Sequence, residues 1–104
     1  MNDLNSLLFE GILNADPVRL SDGSVIFPVI SHRSSINVNG EVDNDNLRIH
    51  VATYSKLADV CLEYLKKNRG VRIVGRLGRS VIIPDSFCII AEHVEFKPEY
   101  EEEV

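Results

Sequence analysis

Period-two alternation is clearest over Leu47 to Tyr54. Leu47, Ile49, Val51 and Thr53 point to one side, and Arg48, His50, Ala52 and Tyr54 to the other. The first set is expected in a core; the second puts cations and an aromatic on an open face. Leu4 to Leu13 is rich in aliphatic residues, too short and too evenly apolar for an amphipathic helix, and predicts a strand covered on both faces. Asn14-Ala15-Asp16-Pro17 is a turn cluster. Ser21-Asp22-Gly23-Ser24 is another, and its Asp-Gly pair predicts a hairpin leading into a second strand, Val25 to Ile30. Pro28 cannot donate to a ladder, so an edge or bulge is expected there. Ser34 to Asn46, rich in Asn, Asp and Gly, predicts a loop of about a dozen residues.

Helical spacing occurs in one place. Leu57, Cys61, Tyr64 and Leu65 make one stripe within Lys56 to Lys67, with Ser55 placed to cap the start. Lys66 and Lys67 are expected in the last turn and Gly70 at the stop. Val71, Ile73 and Leu77 then alternate with Arg72 and Arg76 in a fourth strand, Pro84-Asp85-Ser86 turns the chain, and Phe87 to Lys97 makes a fifth. Five strands with a single helix between the third and fourth is the arrangement of the OB-fold, an all-β Greek-key barrel.

The length of 104 residues suits one domain, expected over residues 1–98, followed by a short acidic tail at 99–104. The net charge of −5 argues against a nucleic-acid ligand until its distribution is considered. Residues 56–79 hold seven of the eleven basic side chains and only two acids, whereas the last six residues hold four acids. Such a tail is either a solvated end or a segment that competes with anionic ligands or recruits a basic partner.

Several function classes fall away. No apolar stretch approaches the roughly 20 residues of a membrane span, and the start lacks a basic-then-apolar leader, so no membrane partner is expected. Cys61 and Cys88 lack metal-motif spacing; reduced buried thiols in a cytoplasmic protein are expected, with a disulfide left open. His32, His50 and His93 do not combine with them at ligand spacing, and no phosphate-binding Gly-rich loop opens a helix. Neither a metal, a cofactor nor an enzymatic activity is expected.

Asn5 to Pro17, Tyr54-Ser55-Lys56-Leu57-Ala58-Asp59 with Glu63-Tyr64-Leu65-Lys66-Lys67, and Val71-Arg72-Ile73-Val74-Gly75-Arg76-Leu77 resemble, in order, three motifs of the bacterial single-stranded-DNA-binding protein family. The resemblance covers roughly Asn5 to Phe96. It implies an OB-fold that binds single strands without sequence preference, in replication, recombination or repair, as a homodimer or homotetramer that meets replication proteins. Of the family's stacking positions, one is kept as Tyr54; others fall on Ser35, Arg48 and near Ile82, and tryptophan is absent. The link Arg79 to Ser86 is short where the family has a long basic arm. Val29 to Ser34 also resembles the dimeric primosomal replication-restart relatives.

The expected DNA contacts are Tyr54, Arg48 and His50 on the third strand, Arg33 at the end of the second, and Arg72, Arg76 and Arg79 on the fourth. Aromatic faces stack on bases whatever the sequence, and Arg binds phosphate. Other readings stand beside these. Arg72 and Arg76 also fit the solvated side of a strand, Tyr54 a rim packed on the helix, and Arg48 a partner of Asp43 or Asp45. A protein-interaction subunit that has lost DNA binding is the rival function.

Overall fold

The expected strands form and close on one another. The computed structural model describes residues Met1 to Pro98, so the acidic tail lies outside the described residues. In chain order it contains β1 (Leu7–Leu13), β2 (Val18–Arg19), β3 (Val25–Ile36), β4 (Val42–Thr53), α1 (Ser55–Tyr64), β5 (Gly70–Arg79) and β6 (Phe87–Phe96). The sheet runs β1-β5-β6-β4-β3-β2, and an added β1–β3 pairing closes it. All pairs are antiparallel except β4 with β6. This is the expected OB barrel of five long strands, with α1 between the third and fourth of them. The two-residue β2 is an addition: the Asp-Gly hairpin forms, and its short leading arm pairs with Val25 and Ile26.

The barrel is filled by alternate residues from every wall. Leu13, Phe27, Val29, Val51, Val71, Ile73 and Ile89 are all buried in one cluster. Each large aliphatic or aromatic side chain so buried is worth about 1.5–3 kcal/mol. Cys61 and Leu65 of the helical segment join this cluster and seal the barrel. Both cysteines are free and buried, which removes the disulfide alternative. Burial pushes the Cys61 thiol up to about 11.

Closure depends on two glycines. A Cβ on Gly11 would lie 2.3 Å from the Ile30 carbonyl oxygen, where β1 crosses β3. On Gly75 it would lie 2.2 Å from the Ile90 carbonyl oxygen, beside the register shift between Val74 and Gly75 that bends β5 against β6. Pro28 falls where β3 changes partners, after β2 ends its pairing at Ile26 and before β1 begins at Val29.

Four expectations need correction. Ser34 to Asn46 is not a loop: β3 and β4 stay paired out to Ile36 and Val42, leaving a turn of residues 37–41. Polar side chains bridge this ribbon, with Ser34 Oγ donating to Asn44 Oδ1 at 2.7 Å and His32 Nδ1 within 2.9 Å of Asn46 Oδ1. Because the ribbon leaves the barrel, Leu47 is 55% exposed rather than core. The helix is shorter than its spacing suggests. It ends at Tyr64, because Asp16 takes the Lys67 amide at 2.7 Å and the Leu13 carbonyl takes that of Asn68 at 2.8 Å. Lys66 and Lys67 therefore lie beyond it, Tyr64 is exposed, and Ser55 is its first residue rather than a side-chain cap. Finally, β1 is covered on one face only: Leu8 and Ile12 are 66% and 42% exposed.

Gly11→Ala is expected to cost about 1–3 kcal/mol by overpacking, read as a lower urea midpoint in chemical unfolding. An unchanged midpoint would mean that β1 and β3 do not approach this closely.

Candidate functional site

Residues directly opposite in a sheet share a face, so the register assigns each candidate a side. On β3 and β4 the paired rows Ile30–Arg48, Pro28–His50 and Ile26–Ala52 face outward from the core. Across β6 the row continues from Ala52 to Ile90, and on to Arg76 of β5. Arg48, His50 and Arg76 therefore occupy one continuous outer wall, with Tyr54 two residues beyond Ala52 where β4 gives way to the helix. From Arg48 to Tyr54 this wall spans roughly 20 Å of strand, and Arg76 lies two strand spacings, roughly 10 Å, from the β4 backbone. Its floor is a small apolar cluster of Ile26, Ala52 and Cys88, with Leu20 and Ile90 packed against it.

The electrostatics of the wall favour an anion. Tyr54 is 40% exposed, so its ring is available while its carbonyl accepts the Ala58 amide at 3.2 Å. Arg48 does not pair with Asp43 or Asp45. Its Nε donates to Asn14 Oδ1 at 3.0 Å, which orients the guanidinium and uses one of its five donors. Asn14, in the first turn cluster, is the positioning residue that sequence reading passed over. His50 is held below its ordinary 6.5 by burial and by the Arg48 charge, so it is neutral at pH 7 and adds a donor and an acceptor rather than a cation. Arg76 makes no ion pair among the described residues. Burial raises the Cys88 thiol, against the opposing pull of the Arg76 charge nearby.

The other candidates are placed elsewhere. Arg72 points outward from β5 but is held by Glu10, with Nε and one amino group at 3.1 and 3.0 Å, and it reaches Glu95 at 3.7 Å. Lys97 completes that cluster on Glu10, and these two cations hold the Glu10 carboxyl below its ordinary value. Arg33 lies opposite Asp45, on the other face of the ribbon from Arg48, as does Ser35 opposite Asp43. Arg79 ends β5 opposite Phe87, one step out of phase with Arg76, beside a shallow cleft that also holds Asp85. Ile82, with Val81 and Ile83, is exposed in the link before β6. Among the described residues no group of His, Cys, Asp and Glu could hold a metal ion, and no helix is long and apolar enough to cross a membrane.

Known proteins share both this fold and part of this sequence. No family model matches the chain. It is 33% identical over 78 residues to single-stranded DNA-binding protein 1 of Chlorobaculum tepidum, a match covering 71% of this chain and 48% of that protein. The chain thus spans about half the length of this curated relative. The single-stranded-DNA-binding protein of Plasmodium falciparum, solved in complex with single-stranded DNA, superposes with a TM-score of 0.77 at 20% identity, covering 94% of this chain and 98% of that one. A small single-stranded DNA-binding protein from Streptomyces coelicolor gives 0.73 at 20% identity, over 93% and 95% of the two chains. A deletion mutant of the Thermus aquaticus single-stranded DNA binding protein gives 0.74 at 17% identity, over 91% of this chain and 51% of that one.

Proposed function

We propose that the chain is a member of the single-stranded-DNA-binding protein family, whose OB-fold it carries, and that it binds single-stranded DNA without sequence specificity, as a binding protein rather than an enzyme. The observation that carries this reading is the outer wall on which Tyr54, His50, Arg48 and Arg76 stand together on a chain of net charge −5. Tyr54 stacks on a base, Arg48 stacks or meets a phosphate, Arg76 meets a phosphate, and neutral His50 hydrogen-bonds. Arg79 stands at the margin, where a strand leaving the wall would pass it, whereas Arg33, on the other face of the ribbon, stays out of the contact. Arg72 contributes least, since Glu10 and Glu95 already occupy it. The cellular role is protection of exposed strands during replication, recombination or repair in the cytoplasm, together with other replication proteins.

The proposed assembly is a homodimer or homotetramer. Leu8, Ile12 and Val74 lie exposed on the outer face of β1 and β5, and β1 pairs with β3 only at Ile12 and Leu13. Its outer face at Leu8, with Val74 beside it, is open to a second copy. Light scattering is expected to give a multiple of 11.7 kDa, and Leu8→Arg to lower it. A monomer with unaltered Leu8 would contradict this assembly.

A second reading, a protein-interaction subunit without DNA binding, is favoured by one feature: the exposed apolar link Val81-Ile82-Ile83 beside Phe87, which is 69% exposed. Titration with oligothymidylate followed by anisotropy separates the two. The DNA reading expects binding that weakens with salt. Tyr54→Ala should cost about 1–3 kcal/mol, and Arg76→Ala should lower the salt slope by about 0.7. No binding at low salt would overturn it, and two silent variants would mean that another face binds.

A further inference from the structure

A second cationic site lies where β1 and β3 part. After Ile12↔Ile30 the two strands splay, β1 running along β5 while β3 leaves as the ribbon. The gap is a cleft of about 710 Å³, walled by Glu10 to Ile12, Ile30 to His32, Tyr64, the segment Lys66 to Gly70, and Lys97 with Pro98. Its charge is one-sided. Among the described residues Lys66, Lys67 and Lys97 line it against one carboxylate, Glu10, which Lys97 and Arg72 already hold. Lys66 and Lys67 are exposed and make no ion pair among the described residues. Tyr64, 58% exposed, turns its ring into water rather than into the core. The carbonyl end of α1 also points here, but its half charge at most is outweighed by the two lysines that follow it.

The cleft adjoins the wall already described. Ile30 and His32 form its β3 side, and they stand opposite Arg48 and Asn46 on the same outer face. A cation, an aromatic and a concave floor next to a nucleic-acid face suit the same ligand chemistry: a flat base over a phosphodiester.

We propose that this cleft is a second contact site for the same DNA strand, with Tyr64 stacking on a base and Lys66 and Lys67 contacting phosphates, so that a strand on the Tyr54–Arg76 wall continues past Arg48 and His32 into it. The proposal rests on the DNA reading above and extends the bound length. It also gives a use to two lysines that lie beyond the early end of the helix and make no ion pair among the described residues.

Oligothymidylates of about 5 and about 16 nucleotides, near the ends of the range of OB-fold sites, test it. Against the longer one, Lys66→Glu with Lys67→Glu is expected to lose roughly tenfold or more in affinity and to lower the salt slope by about 1.4. Tyr64→Ala is expected to lose roughly tenfold. Against the shorter one these variants should match the unaltered chain, whereas Tyr54→Ala weakens both lengths. All three positions are exposed, and unchanged circular dichroism checks the fold. Variants that match the unaltered chain on both lengths, or that weaken both equally, overturn the cleft while leaving the DNA reading intact. An unaltered chain that binds neither length overturns both. Binding of dTMP alone that the lysine variants abolish, without any effect of length, makes this a pocket for free nucleotides and also overturns the proposal.

Discussion

The close approach of β1 to β3 at Gly11 is the contact on which the rest of the molecule depends. Because Gly11 has no side chain to meet the Ile30 carbonyl, the sheet can roll up until its first and third strands touch. Once it is closed, every strand has an inside and an outside. Leu13, Val29, Val51 and Ile73 must then share one dry interior, and Arg48, His50 and Arg76 are left on the outer wall. An open sheet with the same residues would impose no such sorting.

Closure also decides what the cations do. Where β1 lies beside β5, Arg72 is held by Glu10, and such solvent-screened pairs contribute little to stability. Their larger effect is on availability, because a paired guanidinium has fewer donors left for a ligand. Four residues further along β5, Arg76 lies opposite Ile90 and near Cys88 instead of a carboxylate and keeps its charge for the outside. A chain with net charge −5 can thus present a positive wall, because eight of its sixteen acids lie at β1, on the ribbon with its turn, and in the last six residues of the sequence.

Some of this was legible in the residues. The alternation at Leu47 to Tyr54 put Arg48 and His50 outward, and both lie there, because a strand against a core obeys period two. The order of elements and the Asp-Gly turn were readable for the same local reasons. What could not be read depended on partners far along the chain. Arg72 is occupied by a glutamate 62 residues away, and the helix is cut short by Asp16, 51 residues from the amide that it takes. The ribbon from Ser34 to Asn46 has no apolar stripe, since both of its faces meet water, so its pairing left no hydrophobic signature and Arg33 could not be assigned a face. Tyr64 fits a helical stripe by spacing, yet the helix turns it toward the cleft.

The central claim is that one outer wall of a closed barrel meets the strand. Backbone amide shifts, followed by NMR as oligothymidylate is added to the folded protein, report every face at once. Shifts concentrated at Arg48, His50, Tyr54 and Arg76, with Arg33, Asp45 and Asp43 on the other side of the ribbon left still, are the expected result. Shifts centred on that opposite side, or spread evenly over the surface, would contradict the account.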